Sequence, residues 1–128
     1  MLLKENMGKI MDVELLDREK IAQACASTLD TDFFTALCEP VRVALIRTLI
    51  VKGRSDIQTL AEDFSQDRSV ISRHLKVLQQ AGIVTSEKIS RHQYFQLDGR
   101  FILQRLSAMA SVIEDIIPIC CPQESISK

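Results

Sequence analysis

At 128 residues, 46% hydrophobic and 26% charged, the chain has the size and composition of a single soluble domain. A formal net charge of −1 excludes indiscriminate, charge-driven binding to nucleic acid. No apolar run approaches membrane-spanning length and no secretory pattern opens the chain, so a cytoplasmic protein with no membrane partner is expected, its cysteines (Cys25, Cys38, Cys120 and Cys121) reduced thiols.

Charge is uneven. Residues 1–32 carry four basic and seven acidic side chains, whereas residues 64–100 carry six basic and three acidic ones. A basic stretch on a near-neutral chain is a pattern of sequence-specific nucleic-acid binders.

The spacing predicts an N-terminal extension over residues 1–11, a main domain over 12–119, and a cysteine pair with a polar tail over 120–128. From Asp12 to Leu29 apolar residues recur at 15, 22, 25/26 and 29, a helical stripe with acids in its first half. Thr31 or Asp32 can cap a second helix through Phe33, Phe34, Ala36 and Leu37. Pro40, preceded by Glu39, suits the first position of a third helix, mostly buried from Val41 to Ile50 and stopped by Gly53. Ser55-Asp-Ile-Gln58 reads as a capping box opening a short helix from Ile57 to Phe64.

A further helix is predicted from about Asp67 to Ala81. Val70, Ile71, Leu75 and Leu78 form its apolar face, and Gln66, Arg68, Ser69, Ser72, Arg73 and Lys76 lie opposite. Two short, tightly joined helices, the second polar and basic, make a helix-turn-helix whose second helix suits a major groove. Ile83–Ile89 and His92–Leu97 read as strands of a hairpin turning at Ser90-Arg91. Asp98-Gly-Arg opens a last helix with the stripe Ile102, Leu106, Met109, Ile113 and Ile116, ended or kinked by Pro118. Gln123–Lys128 is a polar tail expected to be disordered. The fold class is mainly α (α+β): a winged helix-turn-helix with additional N- and C-terminal helices.

The stretches FFTALCEPVRVALIRTL, IQTLAEDFSQDRSVISRHLKVLQQAGIV and SEKISRHQYFQL together resemble the ArsR/SmtB family of bacterial repressors over about residues 32–117. The block Ser72-Arg-His-Leu-x-x-Leu-x-x-Ala-Gly-Ile-Val84 is the most specific part. The resemblance implies a homodimer joined through its first and last helices, which binds double-stranded operator DNA and releases it when an inducer binds. Gln66, Arg68, Ser69, Ser72 and Arg73 are then placed near base edges or flanking phosphates, since Arg suits guanine and Gln adenine. Lys76, Lys88 and Arg91 are placed on phosphate and His92 at the wing tip. His74, part of the family's helix motif, is expected to pack or to touch phosphate rather than to sense a ligand.

Members of that family detect metals through a Cys-x-Cys box or through paired Asp, His and Glu ligands. The stretch here that matches the box, Arg54-Ser-Asp-Ile-Gln-Thr-Leu60, holds no cysteine, and Phe101–Ile117 holds no histidine. What remains is sulfur. Adjacent Cys120 and Cys121 favour a soft, thiophilic species. Trivalent arsenic or antimony leads, because some arsenic-responsive members carry a Cys-Cys pair near this place. Two thiolates suffice for a mono-organic arsenical. Inorganic arsenite prefers three, with Cys25 ahead of Cys38 as the third. A redox or reactive-sulfur switch through cysteine oxidation is the weaker alternative. No obligatory cofactor is expected. No phosphate loop, metal-binding histidine motif or nucleophile elbow appears, so an enzyme is not expected either.

Overall fold

A computed structural model describes residues 17–121. The predicted helix start at Asp12, the 1–11 extension and the Gln123–Lys128 tail lie outside the described residues.

Helix α1 is described over residues 17–28. It is followed by α2 (Thr31–Leu37), α3 (Pro40–Lys52), β1 (Ser55–Asp56), α4 (Ile57–Ala61), α5 (Arg68–Gln80), β2 (Val84–Ile89), β3 (His92–Leu97) and α6 (Gly99–Cys120). These fall into two compact units. One comprises residues 30–104; the other comprises α1 with the part of α6 from Arg105 onward.

Within 30–104, local chemistry sets each boundary. The Asp30 carboxylate accepts from Phe33 N at 3.1 Å and caps α2, so the cap lies one residue before the predicted Thr31 or Asp32. Glu39 caps α3 by accepting from Val41 N and Arg42 N, with Pro40 in the first turn where its missing N–H costs nothing. Gly53 ends α3 at φ 73°, a conformation that needs no Cβ. The predicted capping box is replaced by a different arrangement. Ser55 lies in β1 with its hydroxyl donating to Gly53 O at 2.8 Å, and Asp56 caps α4 by accepting from Thr59 N at 2.9 Å. Helix α4 is also shorter than expected, because Asp63 N and Phe64 N close i→i−3 turns instead of extending it. Lys52 ties the end of α3 to this region, donating to Thr59 O and pairing with Asp63.

Helix α5 ends in a Schellman motif. Ile83 N reaches Leu78 O and Gly82 N reaches Gln79 O, both at 3.0 Å, with Gly82 at φ 84°. A Cβ on Gly82 would meet the Phe101 ring at 2.7 Å, so this turn also seats the start of α6 against the helix-turn-helix. Asp98 caps α6 through Phe101 N at 3.0 Å.

The sheet among the described residues is antiparallel in the order β1-β3-β2. Ile89 faces His92 across the two-residue turn, and Ser90 takes φ 57° there. The register sets Val84 opposite Leu97 and Ser86 opposite Phe95, which puts Val84 and Phe95 on the core face. The core joins α2, α3, α4, α5 and β2 through Phe33, Leu45, Leu60, Ile71, Leu75, Leu78, Ile83 and Val84, all fully buried. Helix α3 was expected to be mostly buried; instead Val43, Ile50 and Val51 are exposed and only Leu45, Thr48 and Leu49 are buried. Its apolar residues occur all round the helix, and the core needs one side of it.

In the other unit, α1 and the C-terminal part of α6 line an open apolar groove of about 640 Å³, with Ile21, Cys25, Leu29, Ile116 and Ile119 among its walls. Helix α6 runs two residues past Pro118 to Cys120, so the proline neither ends the helix there nor stops its hydrogen bonding: Cys121 N still reaches Ile117 O at 2.8 Å. Near a helix end the missing proline N–H removes one bond without interrupting the ones after it. No helix among the described residues is long and apolar enough to cross a membrane.

Candidate nucleic-acid interface and cysteine pair

Helix α5 buries Ile71, Leu75 and Leu78 completely, and that fixes which side is left for solvent. Arg68, Ser69, Ser72, Arg73 and Lys76 are all exposed, on a ridge about 140° wide at 100° per residue. Gln66 is half-buried in the turn before α5. On the wing, Lys88, Arg91 and His92 are exposed around the turn.

The two parts meet in a cleft of about 310 Å³ lined by Asp56, Arg68, Ser72, Arg91 and His92, among others. One wall is the N-terminal turn of α5 and the other is the wing. Positive side chains on both walls, with a hydroxyl between them, suit a phosphodiester strand. The positive end of the α5 dipole adds to that field.

Asp56 is the acidic member of the cleft. Its Oδ2 lies 3.7 Å from His92 Nδ1. The hydrogen bonds from Thr59 hold its carboxyl below the ordinary carboxylate range, and the charges of His92 and Arg68 act in the same direction. Asp56 and Gln93, which no sequence pattern marked, line this cleft together with Gln58, expected only as part of a capping box. Gln93 could have been found from the hairpin register, because it faces Lys88 across the two strands. On the opposite face of the sheet Arg54 pairs with Glu87 and sits 5.5 Å over the Tyr94 ring.

His74 does not join the ridge. It is half-buried, with Nδ1 at 3.2 Å from Arg42 Nη1 and 3.8 Å from Glu39 Oε2. These contacts tie it to α3 and its cap.

The four cysteines separate. Cys38 is exposed at the end of α2, in the unit of residues 30–104. Cys25 is half-buried on the wall of the apolar groove. Cys120 and Cys121 stand together with their sulfurs 3.3 Å apart. The hydrogen bond to Cys120, partial burial and the neighbouring sulfur's charge push the Cys121 thiol up. Among the described residues no three His, Cys, Asp or Glu side chains gather as a metal site, so Cys25 is not drawn into a three-sulfur cluster with the pair within one chain.

The sequence model of the bacterial regulatory proteins of the arsR family matches residues 39–86. The arsenical resistance operon repressor of Bacillus subtilis is 31% identical over 74 residues, which cover 58% of this chain and 70% of that protein. A solved structure described as a possible transcriptional regulator for arsenical resistance is 34% identical, covers 67% of this chain and 84% of its own, and superposes with a TM-score of 0.53. A homodimeric winged helix-turn-helix DNA-binding domain from Mycobacterium bovis shares the fold with a TM-score of 0.55 at 21% identity, over 74% of this chain and 85% of that one.

Proposed function

This chain belongs to the ArsR/SmtB family of bacterial DNA-binding transcriptional repressors, and we propose that it works as a homodimer that grips operator DNA through α5 and the wing and releases it when Cys120 and Cys121 capture trivalent arsenic. The observation that carries the DNA reading is the exposed ridge Arg68–Lys76 on a helix that buries Ile71, Leu75 and Leu78 on its other side. Arg68, Ser69, Ser72 and Arg73, with Gln66 beside them, approach base edges and flanking phosphates. Lys76, Lys88, Arg91 and His92 meet the backbone, and His74 serves from within the fold.

The homodimer reading is supported by the open apolar side of α1 and α6. Leu106 and Ile113 are about half exposed, and the groove walled by Ile21, Leu29, Ile116 and Ile119 is open and apolar. Pairing that side with a second copy would bury it.

The inducer reading is supported by the adjacent sulfurs and by the relatives named for arsenical resistance. Two thiols condense with a mono-organic arsenical, R–As(OH)₂: two As–S bonds form, two As–O bonds break, and two waters leave. The arsenic remains trivalent, so no oxidant or reductant is required. Inorganic arsenite or antimonite would take a third sulfur, for which Cys25 of the other protomer is the candidate. Release follows only if the loaded pair is more stable in the DNA-incompetent arrangement.

The test is retardation of a duplex from the protein's own promoter region, titrated with methylarsenite, arsenite and antimonite. Loss of retardation with the arsenicals is expected, together with persistence in the Cys120→Ser/Cys121→Ser protein. A double-serine protein that still responds would end the sensor assignment and leave the repressor standing.

A further inference from the structure

Arg42 engages each of its three guanidinium nitrogens within the unit of residues 30–104. Its Nε donates to Ala36 O at 2.8 Å and its Nη2 to Thr35 O at 3.0 Å, both in the last turn of α2. Both belong to the last carbonyls of that helix, and Thr35 O accepts from Cys38 N as well, at 3.1 Å. The remaining arm, Nη1, meets His74 Nδ1 on α5 at 3.2 Å. One side chain on α3 thus bridges the end of α2 to the DNA-facing helix.

The chemistry of the last contact is one-sided. A guanidinium has only donors, so Nδ1 must accept, which requires a neutral imidazole with its proton on Nε2. Glu39 Oε2 is 3.8 Å from the same nitrogen, but it is occupied as the cap of α3, accepting from Val41 N at 2.8 Å and Arg42 N at 3.2 Å. These two groups are the charged partners that α3 and its cap present to His74. On α5 itself Arg73 and Lys76 belong to the exposed ridge. On α2, Asp32 lines a crevice against Val77 and Gln80, further along α5.

We propose that Arg42 is a positioning residue for DNA binding: by joining the end of α2 to His74 it sets the rotation of α5, and it does so only while His74 is neutral. Protonation places an N–H and a positive charge against the guanidinium. The bond from Arg42 Nη1 to Nδ1 is then lost, and with it the hold on the orientation of the ridge on α5. The contribution is therefore present while the imidazole is neutral and is lost when it gains a proton. His92, exposed on the wing, acts with the opposite sign, because its protonation adds positive charge facing the duplex. The proposal rests on the DNA-binding reading above.

The experiment measures fluorescence anisotropy of the full chain on a labelled duplex from its own promoter region, from about pH 8 to about pH 5. The proteins are wild type, His74→Gln, His92→Gln and Arg42→Lys. The wild-type affinity is expected to fall by about tenfold on acidification, the scale of one charge-assisted hydrogen bond. His74→Gln, whose amide oxygen still accepts from Arg42, is expected to lose that fall, and His92→Gln to keep or steepen it. Arg42→Lys cannot reach three acceptors and is expected to bind about tenfold more weakly at about pH 8. A His74→Gln protein with the wild-type pH slope overturns the proposal. Nitrogen-15 NMR of the imidazole, with no DNA present, reads the lock separately. A proton on Nε2 at neutral pH is expected, and a proton on Nδ1 overturns the proposal even if no duplex binds.

Discussion

The two units solve the problem of burying apolar surface in opposite ways. Residues 30–104 close on themselves: eight large side chains from five helices and strands are fully buried, and the helix ends are capped from within by Asp30, Glu39, Asp56 and Asp98. The unit of α1 and the later part of α6 stays open. Among its described residues only Met109 is buried, while Leu29, Leu106 and Ile113 are each nearly half exposed. A closed unit can hold side chains in a fixed geometry for reading a surface. An open one is completed by whatever covers it, and its geometry is free to change with its occupant. That difference suits recognition in one unit and regulation in the other.

Making the open unit hydrophilic should have the largest effect. Ile113→Asp should leave secondary structure intact but convert a dimer to monomer in analytical ultracentrifugation. With the two half-sites uncoupled, operator affinity should drop about a thousandfold, to the non-specific level. A dimeric Ile113→Asp protein would place self-association elsewhere. Next in size, Arg68→Ala/Arg73→Ala should lower operator affinity by about a hundredfold with an unchanged melting temperature, because both side chains are exposed. A matched loss of stability would mean that the ridge supports the fold instead of reading DNA.

A smaller effect separates the units functionally. Cys120→Ser/Cys121→Ser should bind DNA within about twofold of wild type, inside the scatter of distant surface substitutions, yet fail to release it with methylarsenite. The smallest effect tests the acidic member of the cleft. Asn accepts a cap hydrogen bond as Asp does, so Asp56→Asn keeps the α4 cap and removes the charge facing His92 and Arg68. Because the Asp56 carboxyl is held below its ordinary value of 3.8, its contribution is full above that value and lost as pH falls through the lower folded one. Acid denaturation followed by circular dichroism should show a shallower loss of stability below about pH 4 in Asp56→Asn. Identical acid profiles would show that the charge pairing contributes nothing.

Much of the closed unit was legible in advance because its signals are local. The alternation of apolar and polar residues along α5, Pro40 at a helix start, Gly53 and Gly82 at helix ends and the two-residue turn of the hairpin each act within a few residues. The misses arose where several residues could perform the same local task. Asp30, Thr31 and Asp32 can all cap α2, and Ser55 and Asp56 can both cap α4. The winner depends on where the incoming chain bends, and at Ser55 that is decided by pairing with Phe95 forty residues later. A two-residue strand has no periodicity of its own. The exposed side of α3 was hidden for a related reason: with apolar residues all round it, only the packing of its neighbours selects the buried side.

The order of elements, the polar ridge on α5 and the adjacent thiols are properties of the chain written residue by residue, because periodicity, capping chemistry and peptide connectivity need no distant partner. Strand β1, the choice among competing caps, the cleft that joins Asp56 to Arg68 and Arg91, and the bridge from α2 through Arg42 to His74 were decided by folding alone. Each depends on groups far apart in sequence reaching hydrogen-bonding distance, and that proximity is created by the common core and not by any segment within it.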